Sequence, residues 1–126
     1  MVVTSTIYHE FASGDDYTVV RDAIPIPANT TMIQAWFMVK RRYTDTNSDA
    51  LISKTITTSG SSQGIISNTG ELEGEASVLF TLLGADTKKL TPLSAYPYVI
   101  QFQVSDLRIM TYEVGHVESV HPVRVT

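Results

Sequence analysis

The segment EASVLFTL, residues 75–82, alternates polar and apolar side chains along most of its length. Successive side chains of an extended chain point to opposite faces, so this alternation places its apolar residues together on one face. That pattern is typical of a strand with one face in a core, and it does not fit the 3.6-residue period of a helix. The apolar face consists of Ala76, Val78, Phe80 and Leu82.

Several other segments show the same period of two, and each predicts a strand whose apolar side chains share one face. Residues 50–57 place Lys54 on the same side as the isoleucines, which suggests the edge of a sheet. The expected apolar faces are Val19 in 17–24; Ile33, Ala35, Phe37 and Val39 in 31–41; Ile52 and Ile56 in 50–57; Tyr96, Tyr98, Ile100, Phe102 and Val104 in 96–105; Met110, Tyr112 and Val114 in 108–114; and Val117, Val123 and Val125 in 117–125.

The composition agrees with a protein built from strands. The 126 residues include 16 Thr, 13 Val and 10 Ile, which suit a pleated surface better than a helix. Short turn signals separate the apolar segments, and Gly115 is expected to be one of them. We therefore predict an all-β, immunoglobulin-like antiparallel β-sandwich of about seven or eight strands, forming a single domain over residues 1–126. Residues 1–16 are expected to form an N-terminal arm or an edge strand, and GADTKKL a single helical turn.

Charge and cysteine content exclude several classes of protein and site. The net charge of −4 gives no general attraction to nucleic acid or to an anionic membrane. Disulfides and thiolate metal sites are ruled out because the chain has no cysteine. His116 and His121 are five residues apart, so a strand sends them to opposite faces, and His116 with Glu118 supplies only two ligands. We expect no metal, no cofactor, and neither nucleic acid nor a membrane as partner.

The sequence also lacks the motifs that mark common enzyme sites. It contains no G-x-S-x-G nucleophile elbow, no G-x-G-x-x-G and no phosphate-binding loop. The face assignments do not bring polar side chains together in one pocket. We therefore expect a protein that is not an enzyme, and no catalytic residue is assigned.

The segment QAWFMVKRR, residues 34–42, carries more apolar side chains than one core face needs. Trp36 and Met38 point away from the face that holds Phe37. One interpretation is internal, with the first 11 residues or a loop covering the surplus face. The other is an interface with a second protein, since aromatic and Met clusters beside Arg are typical interface anchors. The candidate interface residues are Trp36, Met38, Arg41, Arg42, Met110 and Tyr112.

The order of these segments resembles the small immunoglobulin-like domains of tailed-bacteriophage virions, including the N-terminal domain of upper baseplate proteins. Those domains carry V-x-V-K-x-x-x-D, apolar-x-K-x-I, a D-T-x-x-L turn, Y-x-Y-D-I-x-V and T-x-x-x-G in that order. The resemblance covers most of residues 17–126, and Val99 stands where the family usually has Asp. The matching residues are Val39, Lys40, Asp45, Ile52, Lys54, Ile56, Asp86, Thr87, Leu90, Tyr96, Tyr98, Ile100, Thr111 and Gly115.

The resemblance implies a structural protein of the virion, made in the host cytoplasm and present in multiple copies per particle. It would be an accessory or decoration subunit that binds the head or another particle component, with a neck, tail or baseplate position as the alternative. Its partners would be capsid, neck or tail subunits. A carbohydrate-binding sandwich that uses Trp36 and Tyr residues as stacking platforms is the alternative from another class. Near the start of their strand, Tyr96 and Tyr98 are expected to close a corner by bonding to backbone.

Overall fold

The computed structural model describes residues 3–4, 9–71 and 74–120. These residues form two packed sheets, with a 3₁₀ turn at Asn47–Asp49 and one α-helical turn. None of the helices in these ranges is long and apolar enough to cross a membrane. The elements are β1 (Val3–Thr4), β2 (His9–Ala12), β3 (Tyr17–Pro25), β4 (Met32–Val39), β5 (Ile52–Ile56), β6 (Gly64–Asn68), β7 (Glu75–Leu82), α1 (Gly84–Thr87), β8 (Ala95–Val104) and β9 (Ile109–Val120).

The strand order is that of an immunoglobulin-like sandwich. The six-stranded sheet runs β1–β9–β8–β4–β5, with β2 also pairing with β9, and the three-stranded sheet runs β3–β7–β6. Matched in chain order to strands B to G, β3, β7 and β6 take the places of B, E and D, while β9, β8, β4 and β5 take those of G, F, C and C′. The prediction of an all-β, immunoglobulin-like sandwich is therefore confirmed.

Three details of the predicted strands are wrong. The arrangement is not purely antiparallel, because β1 and β2 both run parallel to β9. Segments 108–114 and 117–125 were expected as two strands, yet β9 runs without a break from Ile109 to Val120. No strand was assigned between residues 57 and 75, yet residues 64–68 form β6 (Gly64–Asn68). Val123 and Val125 lie outside the described residues, as does His121.

Gly115 lies inside β9, where the absence of a side chain makes room for an aromatic ring. The chain does not turn at this residue, contrary to expectation. It pairs with Tyr98 on β8, and a Cβ at Gly115 would lie 2.7 Å from Cε1 of the Tyr98 ring. Real Cβ atoms do not approach so closely, so only glycine lets the buried ring lie against the backbone of β9.

The core lies between the sheets and is centred on aromatic rings. The ring centroid of Phe37 is 5.7 Å from that of Phe80 and 5.7 Å from that of Tyr98. The predicted core face of β4 holds for Ala35, Phe37 and Val39. It fails at Ile33, which is 36% exposed, because an irregularity in the β4–β8 register at this point places Met32 in the core instead.

Two polar arrangements close the end of the sandwich at which β8 begins. The Thr91 amide donates to the Tyr96 hydroxyl (2.9 Å), which confirms the expected tyrosine corner for Tyr96. The same expectation is wrong for Tyr98, whose hydroxyl donates to the Glu113 carboxylate and not to backbone. The expected helical turn is α1, and the Asp86 carboxylate accepts from the Leu83 amide at its start (2.8 Å). The same carboxylate forms a 2.8 Å ion pair with Lys54 on edge strand β5, so α1 and the six-stranded sheet are joined by charge.

Candidate interaction surface

Trp36 points outward from β4, the strand next to edge strand β5 in the six-stranded sheet. Its neighbours across the sheet are Thr55 on β5 and Gln101 on β8. Phe37, the next residue, is fully buried on the inner face, as the alternation along β4 requires. Trp36 itself is half-buried, so part of the indole remains in contact with solvent.

The outward-facing positions around Trp36 carry no ionisable side chain. Gln101 donates through Nε2 to Oγ1 of Thr111 on β9 (3.1 Å), which shows that these two side chains share the outer face. Gln34 pairs with Gln103 one step further along β4 and β8. We call this zone the Trp36 surface. It consists of Gln34, Trp36, Thr55, Gln101, Gln103 and Thr111.

Met38 is not part of this surface, although it points to the same side as Trp36. The expectation that Met38 is an exposed anchor is wrong, since it is only 2% exposed. Val99, its neighbour on β8, is 8% exposed. Both residues lie on the outer face, so something other than the inner core must cover them.

The covering element is the loop between β4 and β5, residues 40–51. Lys40 holds it from within by donating through Nζ to the Asp45 carbonyl (3.1 Å) and to Oδ1 of Asn47 (2.9 Å). Tyr43 crosses β8 and donates its hydroxyl to the Gly115 carbonyl of β9 (2.7 Å). The Tyr43 ring also lies edge-on to His116, with centroids 5.9 Å apart. The internal interpretation of the surplus face is therefore correct for Met38, and a loop provides the cover.

Met110 and Tyr112 also lie away from the Trp36 surface. Tyr112 is the extra residue where the β8–β9 register shifts, between the pairs Ile100–Glu113 and Gln101–Thr111. This bulge reverses the alternation, so Met110 and Tyr112 pack against the core and Glu113 turns inward. The predicted grouping of Trp36, Met110 and Tyr112 on one outer patch is therefore wrong.

Arg41 and Arg42 are exposed in the covering loop, as expected for a polar rim. They line a shallow depression together with Asp45 and Asp49, and the Asp45 carboxylate accepts from the Arg42 amide (3.2 Å). Acidic residues thus balance the two arginines, and the depression does not form a basic site.

The inward turn of Glu113 creates a buried ionic cluster. Arg21 on β3 donates from Nε to Oε1 and from Nη2 to Oε2 of Glu113, both at 2.8 Å, and the Tyr98 hydroxyl donates to Oε2 as well. The Glu113 hydrogen bond raises the pKa of Arg21, and burial followed by Glu113 raises the pKa of Tyr98. The raised pKa values keep Arg21 cationic and the Tyr98 hydroxyl protonated near neutral pH, and the bonds between them and Glu113 join the two sheets.

The structure also reveals exposed apolar side chains that the sequence analysis did not single out. Leu107, in the turn between β8 and β9, is 68% exposed, and Ile109 is 59% exposed. A leucine inside the turn sequence SDLR was the available signal, because turns usually hold polar residues or glycine there. In the ranges that the structure describes, no three His, Asp or Glu side chains gather where a metal ion could bind.

Sequence comparison identifies no relative of this chain. The chain matches no protein-family model, and no curated protein matches it in sequence.

Proposed function

We propose that this chain is a structural protein of a tailed-phage virion, an accessory or decoration subunit that binds a head or other particle subunit through the Trp36 surface. The observation that carries the proposal is a tryptophan left partly open to solvent on β4, with uncharged neighbours around it on the outer face of the sheet. The central part of a protein interface is depleted in charged residues, and tryptophan is enriched among the residues that dominate binding energy.

The residues of the phage-type pattern support the resemblance because several of them have linked structural roles. Lys40 anchors the covering loop, and Lys54 pairs with Asp86. Tyr96 closes the corner, and Gly115 accommodates the Tyr98 ring. A pattern whose members act together in this way is more specific than the same residue types scattered along a strand. It supports a shared architecture, and the virion role is inferred from it.

The alternative to an interface is a surplus core residue, and the surroundings of Trp36 argue against it. The covering loop extends over Met38 and Val99, which are almost fully buried, whereas Trp36 remains half-buried. The loop therefore covers one half of the outer apolar face and leaves the other half accessible. Thr and Gln side chains around the indole can form hydrogen bonds to a partner without the desolvation cost of a charge.

The test is to replace Trp36 by Ala and to measure two quantities. One is the urea midpoint of the purified protein, and the other is its copy number per purified particle by quantitative mass spectrometry. We expect a small change in midpoint and a strong depletion of copies, since truncating a central interface tryptophan often costs about 2 kcal/mol or more. Ile65→Ala is the matched control, because Ile65 is an exposed apolar residue on the other sheet.

The outcomes separate the competing functions. Depleted copies with a near-native midpoint support the particle interface, and the fraction in which the protein is found, heads or tails, distinguishes decoration of the head from a neck, tail or baseplate position. Normal copy number in the Trp36 variant contradicts the proposal. The amide-rich surroundings of the indole favour sugar binding as the second candidate, since they offer hydrogen-bond donors and acceptors beside an aromatic ring. A glycan-binding assay that requires Trp36 would then identify that function.

A further inference from the structure

Exposed apolar groups concentrate at the end of the sandwich that carries the β8–β9 turn, which we call the hairpin end. Leu107, Ile109 and Ile33 all lie there and are 68%, 59% and 36% exposed. An apolar groove of about 370 Å³ opens at the same end, between the end of β3 and the start of β9. The groove is lined by Pro25, Ile26, Pro27, Phe102, Met110, Thr111 and Tyr112.

Leu107 is held outward at a conformational cost. Its φ of +72° lies in the left-handed region, which glycine and asparagine occupy far more readily than leucine does. Nothing within the described chain repays that cost by burying the side chain, which is 68% exposed. The combination of strain and exposure is shared with Leu93, so what distinguishes Leu107 is its position at the end that carries the groove.

Hydrogen bonds hold the backbone of the turn that carries Leu107. The Leu107 amide donates to the Val104 carbonyl (2.8 Å), and the Leu107 carbonyl accepts from Nε2 of Gln103 (3.1 Å). Asp106 accepts from the Arg108 amide (3.1 Å) and forms a 2.8 Å ion pair with the Arg108 guanidinium. Because the backbone is held, the exposed Leu107 side chain, which we call the knob, can dock without a cost for ordering the turn.

We propose that the hairpin end is a contact between two copies of this chain, in which Leu107 of each copy enters the groove of the other. A knob and a groove at the same end of one chain allow a two-fold axis to form both contacts at once, and two-fold dimers are the commonest closed assemblies. Charge is compatible with this pairing. The tip carries one carboxylate, Asp106, and one guanidinium, Arg108, so two tips meet without net like charge although each chain carries −4 overall.

Leu93 provides the matched control for Leu107. It is also a leucine in the left-handed region, with φ of +67° and 72% exposure, but it precedes β8 and therefore lies at the opposite end of the sandwich from the groove. If Leu93 of one copy entered the groove of another, the copies would be joined head to tail. Such a contact would not produce a closed two-fold dimer. The two leucines thus differ in position and not in chemistry.

The experiment compares Leu107→Asn with Leu93→Asn by sedimentation velocity over a series of protein concentrations. Asparagine tolerates the left-handed backbone, so both variants should fold, which circular dichroism and the urea midpoint will verify. We expect Leu107→Asn to raise the dimer dissociation constant by about tenfold or more, as loss of a buried leucine predicts. Leu93→Asn should leave it unchanged. A monomeric native protein at all concentrations, or a larger effect of Leu93→Asn, would overturn the proposal.

A second arm tests the groove itself by mixing two defective variants. Pro25→Lys places a cation at the groove, and its partner across the β3–β7 pair is Glu75, so the strand end should tolerate it. Each variant alone should dimerise weakly because both of its contacts are damaged. In a mixture, the Leu107→Asn chain offers an intact groove and the Pro25→Lys chain an intact knob, so the heterodimer regains one complete contact. Failure of the mixture to associate more tightly than either variant would show that Leu107 does not enter this groove.

The dimer and the particle interface meet at Thr111, which borders both the groove and the Trp36 surface, but Leu107 and Trp36 belong to one interface each and can be tested separately. Trp36→Ala should leave the dissociation constant of the dimer unchanged, and Leu107→Asn should leave the Trp36 surface intact. A monomer that still occupies particles refutes only the dimer, whereas a dimer that is absent from particles refutes only the virion role.

Discussion

The two faces of the six-stranded sheet differ in a way that is opposite to the usual expectation. The inner face holds the Arg21–Glu113 pair, whereas the outer face around Trp36 carries no charge. Interior charges are tolerated here because each has a partner at 2.8 Å, and the Tyr98 hydroxyl adds a further bond to the carboxylate. An uncharged zone around an exposed tryptophan is not needed for folding, so its composition is better explained by contact with something outside the chain.

Both inner ion pairs join one sheet to the other. Arg21 reaches from β3 to Glu113 on β9, and Lys54 reaches from β5 to Asp86 in α1, which follows directly on β7. Burial of apolar side chains drives the two sheets to pack together. A bidentate ion pair between the sheets restricts their relative position more strictly than apolar packing does. We infer that the inner face combines apolar burial with charge pairs that set how the two sheets align.

The sharpest test of the two faces uses neighbouring residues of β4. Phe37→Ala should lower the free energy of unfolding by about 3–5 kcal/mol, as truncation of a fully buried phenylalanine usually does. Trp36→Ala should cost less than half as much, because its indole is only half-buried. Urea denaturation of both variants measures the difference. Equal losses would mean that the outer face is a second core.

The buried charge pair gives the next largest effect. Glu113→Gln leaves the Arg21 guanidinium without its carboxylate, and we expect a loss of about 3 kcal/mol in the free energy of unfolding. Glu118→Gln is the control on the same strand, since Glu118 is half-buried on the outer side, and it should change stability by less than about 0.5 kcal/mol. A near-neutral Glu113→Gln would show that the pair contributes nothing to the alignment of the sheets.

The smallest expected effect concerns pH and the Lys54–Asp86 pair. Burial opposes ionisation of Asp86, but the hydrogen bonds and charge of Lys54 and the Leu83 amide outweigh it and lower the pKa of Asp86. A lowered carboxyl pKa stabilises the fold above the unfolded-state pKa, and this stabilisation is lost as pH falls through the folded-state value. Asp86→Asn should therefore reduce the loss of stability below about pH 4, by less than about 1 kcal/mol.

Urea midpoints of Asp86→Asn across a pH series measure this effect. Asp22→Asn, at an exposed position of β3, controls for the removal of one negative charge. Identical pH profiles for the Asp86 variant and the native protein would exclude the pair as a source of acid sensitivity.

Much of the fold followed from local pattern, and the failures have a common cause. Alternation located β7 and the core face of β8, and the tyrosine signal located the corner at Tyr96. Ile33 and Tyr112 were misassigned because register irregularities on β4 and β9 each changed which face a residue occupies. A bulge depends on pairing between strands, and no period within one strand reveals it.

By itself, the sequence determined the class of this protein: short β-branched strands, an edge lysine, a tyrosine corner and a tryptophan surplus to the core. Only the tertiary structure decided that Met38 is covered by the loop that Lys40 and Tyr43 hold down, and that Gly115 accommodates a ring. The physical reason is the range of the interactions. Alternation and turn preference act between neighbours in sequence, whereas cover, ring packing and charge pairing act between residues that only folding brings together.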